Sequence, residues 1–296
     1  TQPPQAPHNV TADPARGVYY VNLVAAGKVL KFRLADNVLL GEVSGIISPT
    51  QVALSLTGDT AYVAQFAAGI NGIRMFNTQS MQLYPGSVGS QYVDKPHGVE
   101  RTPDGRQLWV TGNLSDNVLV VDLQDFSTSL IQLNNQLPGS GGQLLPYQTT
   151  MTPDGRKVYV SCQMSNEVIV VGRDSLSVVK RIPVGQWPLI LKIAPDGRRI
   201  YVANRNSGDV SVIATDADSV VATIPAVGPQ PHGIAITADG LYAYVACENV
   251  VSQDPPHHPT SGSKIPGFVA VIDLRTNAVI RRFEVGAFAA GVACVP

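Results

Sequence analysis

Apolar positions along this chain fall in short runs, and none keeps the 3.6-residue rhythm of a helix. The runs at Val118–Asp122, Val168–Val171, Val210–Ile213 and Val269–Asp273 are rich in Val and Ile. That composition suits strands buried between two packed layers. In the copy that starts at Pro188, the pattern predicts strands at 191–194, 199–203, 210–213 and 220–224. Asp196-Gly197 forms the tight turn between the first two, as Asp-Gly does in hairpins. The same pattern begins near residues 7, 49, 96, 146, 188, 231 and, degenerately, 289. Four-stranded antiparallel units recurring about every 40 to 50 residues are the blades of a β-propeller. The whole chain, 1–296, reads as one such domain.

The expectation is seven blades with the last incomplete, because the seventh copy holds one inner strand, Gly291 to Val295. Six blades with a spare strand is the alternative. Only six residues precede Pro7, too few for three strands. A segment missing upstream is the favoured explanation, with strands lent by a partner as another.

Tyr201-Val202-Ala203-Asn204, with Pro195-Asp196-Gly197 before it and Val210-Ser211-Val212-Ile213 after it, resembles the YVTN family of β-propeller repeats. Leu108-Trp109-Val110-Thr111 and Val158-Tyr159-Val160-Ser161 are nearby variants. The resemblance implies a seven-bladed, extracytoplasmic protein. The repeat style is also similar to the haem-d domain of certain nitrite reductases and to propeller lactonases, without their further motifs.

Composition narrows the function classes. Twenty-one basic and 22 acidic residues leave a formal charge of −1, which gives no bulk attraction to nucleic acid or an anionic membrane. No apolar run approaches the roughly 18 residues of a membrane span. Thr1 stands where an initiator Met would, so a processed protein of the periplasm or extracellular space is expected. Cys162, Cys247 and Cys294 form no C-x-x-C, and Cys162 and Cys247 share one repeat position two blades apart. They are expected as free, buried thiols.

The departures from the repeat gather on one side. Extra residues lie at Tyr84 to Lys95, Asn134 to Leu145 and Asn249 to Pro266. Antiparallel alternation puts all three on the face where inner strands begin, so that face is the expected binding surface. Three of the five histidines, His8, His97 and His232, follow a repeat-start proline there. With His257 and His258 in the blade-6 loop they are candidate ligands for copper, zinc or haem iron at the channel mouth. The rival reading is local structure, since His232 shares strand parity with Ile234 and Ile236 and so faces a neighbouring blade. Gln163, Arg205 and Glu248, with Asn113, end second strands on the same face, and Tyr147 and Trp187 sit near its rim as stacking residues. The repeated turn residues Asp13, Asp104, Asp154, Asp196 and Asp239 read as caps of their own backbone. No G-x-S-x-G, H-E-x-x-H or phosphate loop occurs.

These features favour an exported propeller that binds a protein, glycan or small molecule on its loop-rich face. The alternatives are a metal- or haem-dependent oxidoreductase and a lactonase-like hydrolase or lyase.

Overall fold

The structure is a computed structural model and describes residues 7–138, 140–250 and 265–295. Its described residues form six antiparallel sheets in sequence order, five of them four-stranded blades and the second a blade whose outer strand is split into Gln82–Leu83 and Val88–Gly89. Inner strands occupy Pro7–Asp13, Pro49–Leu54, Pro96–Arg101, Pro146–Met151, Pro188–Ile193 and Pro231–Ile236. Six of the seven expected copy starts therefore coincide with strand starts. In blade 5 the inner strand begins at Pro188, three residues before the hydrophobic run suggests. Pro188 already pairs with Asn204, and the register then shifts before Leu191. The same shift after the first residue occurs in all six inner strands. It is a built-in bulge, and it re-aims the next side chain.

Successive blades are sealed by apolar clusters. Tyr20 and Val29 of blade 1 meet Val63 and Phe76 of blade 2. Val210 and Val212 of blade 5 meet Val245 and Ile272 of blade 6. The outer strand of blade 6, Ala278–Ala287, has no buried residue. The expected seventh inner strand, 291–295, carries no strand assignment. It nevertheless lies between the inner strands of blades 6 and 1. A side chain on Gly233 would strike the carbonyl of Ala290, and one on Gly291 would strike that of His8.

Asp104, Asp154, Asp196 and Asp239 each accept the backbone N–H two residues on, as the sequence suggests, whereas Asp13 makes no such cap and accepts from the Arg16 guanidinium at 2.9 Å. Asp104 accepts from the Thr102 hydroxyl at 2.6 Å and from the Arg106 N–H at 3.1 Å. All three cysteines are free, with Cys162 and Cys247 buried. Burial pushes Cys247 up to about 12 and Cys162 up as well. A thiol reagent should therefore label only Cys294 in the native protein, and mass mapping of the labelled chain reads this out. Fast native labelling of Cys162 would contradict the packing of blades 3 and 4.

Candidate functional site

The residue before each described repeat-start proline from blade 2 onward is left-handed: Ser48, Lys95, Leu145, Trp187 and Gln230, at φ of 45–56°. Such angles are uncommon outside glycine. Here they turn five carbonyls to receive the N–H of Phe66, Asn113, Gln163, Arg205 and Glu248, at 2.9–3.2 Å. The repeat thus places one side chain per blade at the same height around the inner end of the loop-rich face.

The residue after each proline completes the layer. His8, Thr50, His97, Tyr147, Leu189, His232 and Ala290 are all at most 4% exposed. The bulge turns the histidines toward the axis, against the expectation that His232 faces a neighbouring blade. The ring centroid of His8 lies 5.4 Å from that of His97 and 5.3 Å from that of His232. His97 stacks on Tyr147 at 3.5 Å, with the Phe66 ring edge-on at 4.8 Å. Lys95 covers Phe66 at 4.2 Å.

Polar contacts order these rings. His8 Nδ1 donates to the Thr50 carbonyl at 3.1 Å, and His97 Nδ1 to that of Tyr147 at 3.0 Å. His232 Nδ1 donates to Glu248 Oε1 at 2.5 Å. Each acceptor fixes the proton on Nδ1 and leaves an acceptor at Nε2. The Tyr147 hydroxyl donates to His232 Nε2 at 3.0 Å, with His8 Nε2 at 3.4 Å. Glu248 Oε2 accepts from Arg205 Nε at 3.0 Å and Nη2 at 2.9 Å. Burial pulls His8 and His232 down to about 3, helped by His232 in the first case and Arg205 in the second. Both rings are neutral. Burial, then the Glu248 carboxylate, raises the Tyr147 hydroxyl well above its usual range.

Of the residues singled out in the sequence, the structure joins His8, His97, Tyr147, Arg205, His232 and Glu248. Gln163 lies apart, accepting from Asn113 Nδ2 at 3.2 Å. Trp187 stays at the partly exposed rim, and its carbonyl supports Arg205. His257 and His258 fall outside the described residues.

The layer fills the end of the channel where an open mouth was expected. Among the described residues an open cavity lies on the other side of it. A cavity of about 550 Å³ runs along the inner strands toward the short turns at Pro14–Arg16 and Leu56. Three residues beyond the histidine position, its wall carries Thr11, Ala53, Glu100, Thr150, Lys192, Ala235 and Ala293. Glu100 and Lys192 are the two charges of this ring. Burial pushes the Glu100 carboxyl up to about 7, with Lys192 the strongest opposing influence. The channel wall therefore carries an acid–base group poised near neutrality, a cation in the same ring of positions, and small neighbours that leave room. Sequence reading missed this pair, although their register was legible: every other copy has Thr or Ala there.

The family model described as lactonase, 7-bladed beta-propeller, matches residues 2–251. Among solved structures, Kuenenia stuttgartiensis hydrazine synthase superposes with a TM-score of 0.77 at 19% identity, covering 99% of this chain and 90% of that one. A streptogramin B lyase gives 0.74 at 13% identity, with 99% and 88% covered. A functionally unknown Desulfotomaculum acetoxidans protein gives 0.73 at 12%, with 96% and 87% covered. At these identities the structures speak to fold alone. No match was found among curated proteins. No helix of the described residues is long and apolar enough to cross a membrane.

Proposed function

Since the chain belongs to the lactonase, 7-bladed beta-propeller family, we propose that it hydrolyses a small cyclic ester inside its central channel. One observation carries this reading: a carboxyl held near neutrality in the wall of a channel large enough for a small molecule. Pockets of 300–1,000 Å³ with few convergent polar groups are the usual scale of such sites, and perturbed carboxyls cluster where chemistry occurs.

The ionised Glu100 takes a proton from a water molecule, whose oxygen adds to the ester carbonyl carbon. The Lys192 ammonium stabilises the oxyanion that forms. Collapse breaks the bond to the ring oxygen, and Glu100 returns its proton to that oxygen. Ring opening yields one carboxylate and one hydroxyl. The histidine–tyrosine layer closes the far end of the channel and limits the length of the ligand.

A non-catalytic binding propeller would use the same channel and differ in one respect, the absence of turnover. The test is acid release from γ-butyrolactone and D-glucono-1,5-lactone across pH. Expected is a kcat/KM that rises about tenfold per pH unit below 7 and levels off above it. A Lys192→Met variant should lose at least about tenfold. Absence of turnover on a broad lactone panel, with ligands still protecting the channel, would support the binding reading.

A further inference from the structure

We propose that His8 Nε2, His232 Nε2 and Tyr147 Oη bind one divalent zinc or copper ion at the floor of the channel. Among the described residues no group of three or more His, Cys, Asp and Glu side chains is placed to hold a metal. The set proposed here takes its third donor from a phenol instead.

Geometry is the first support. Tyr147 Oη lies 3.0 Å from His232 Nε2 and 3.4 Å from His8 Nε2. Donors about 2.0–2.1 Å from a tetrahedral ion are themselves roughly 3.3 Å apart. An ion replacing the hydroxyl proton therefore meets Tyr147 Oη and each imidazole at separations close to this value. His97 is left out because its ring lies stacked on Tyr147.

The second support is the shell behind the donors. Imidazoles that ligate metals almost always donate their other N–H to a carboxylate or carbonyl, which fixes ring and tautomer. His232 does so to Glu248, itself held by Arg205, and His8 does so to the Thr50 carbonyl. A structural imidazole needs one such partner. Two rings aimed at one phenol oxygen, each braced from behind, form a ligand set. Imidazole and phenolate oxygen suit zinc and copper.

Space is the third. A cavity of about 30 Å³, enough for an ion or a water, is lined by His8 and His232 but not by Tyr147, so it adjoins the donor set from the side of the two imidazoles. It shares Asn9, Ile190, Ile234 and Val292 with the large channel, so the two spaces adjoin. Binding breaks the Tyr147 O–H bond, forms a metal–oxygen bond and releases one proton to solvent. The proposal stands independently of ester hydrolysis at Glu100.

Chelator-treated full chain is titrated with Cu²⁺ alone, following bound metal, proton release and visible absorption. One equivalent should bind, with a tyrosinate-to-copper charge-transfer band and one proton released. Tyr147→Phe keeps the ring packing and should lose both band and proton. His8→Gln and His232→Gln should lose at least a hundredfold in affinity, and Glu248→Gln about 10–100-fold. A His257→Gln/His258→Gln variant should bind as the parent does. The proposal is overturned by substoichiometric uptake, by an unchanged band in Tyr147→Phe, or by binding that disappears with the two loop histidines. Tyr147→Phe decides the matter even if the histidine variants fail to fold.

Discussion

Glu100→Gln should lose about 10²–10⁴-fold in kcat/KM for lactone hydrolysis while making the folded protein more stable at alkaline pH. The first half follows from the role of general base, which typically contributes that factor. The second follows from the carboxyl itself. Glu100 titrates near 7 in the fold and at 4.5 in an unfolded chain. Between those values the folded state holds a proton that the unfolded state has lost. Stability therefore falls as pH rises through this window, and the full cost stands above about pH 7. The gap corresponds to about 3 kcal/mol.

Glutamine removes the charge and hence the cost. Urea melts should show the variant ahead by up to about 3 kcal/mol at pH 8 and level with the parent at pH 4. A gain in stability joined to a loss of turnover separates a reacting group from a structural one, since a structural carboxyl lost from the wall would lower both. Full activity in Glu100→Gln would remove the hydrolytic mechanism. Equal melts at pH 8 would remove the half-buried, near-neutral carboxyl on which it rests.

How much of this was legible in the sequence differs by level. The blades were, because Val-rich runs, Asp-Gly turns and repeat-start prolines act locally and recur. The histidine layer was half legible. Position in the repeat placed His8, His97 and His232 at one height, but strand parity pointed His232 at a neighbouring blade. Parity assumes regular pairing, and the shift after Pro231 breaks it. Phe66 was missed although it occupies the register of Asn113, Gln163, Arg205 and Glu248, because an aromatic there reads as core. The open end of the channel was the larger miss. Long loops drew attention to the face where inner strands begin. Which end of a channel is open depends on side-chain volume at one ring of positions, and Tyr147, Leu189 and three imidazoles fill it.

The Arg205–Glu248 pair should prove the most stability-sensitive polar contact of the layer. Arg205 is 6% exposed and Glu248 fully buried. Glu248→Ala strands the guanidinium in a low-dielectric site and also removes the acceptor of His232 Nδ1. Breaking a buried pair from one side costs about 3–5 kcal/mol. For a chain of this size that corresponds to a fall in Tm on the order of 10 °C. Arg205→Met alone leaves the carboxylate uncompensated and should cost a similar amount. The double variant Arg205→Met/Glu248→Met removes both charges and refills the space. It should cost well under the sum of the two, because the desolvation of each ion disappears with its partner. Additive losses would mean that the two groups do not sense each other, contrary to their 2.9 Å separation. Single-variant losses below about 1 kcal/mol would mean that the pair is solvated, as exposed ion pairs are.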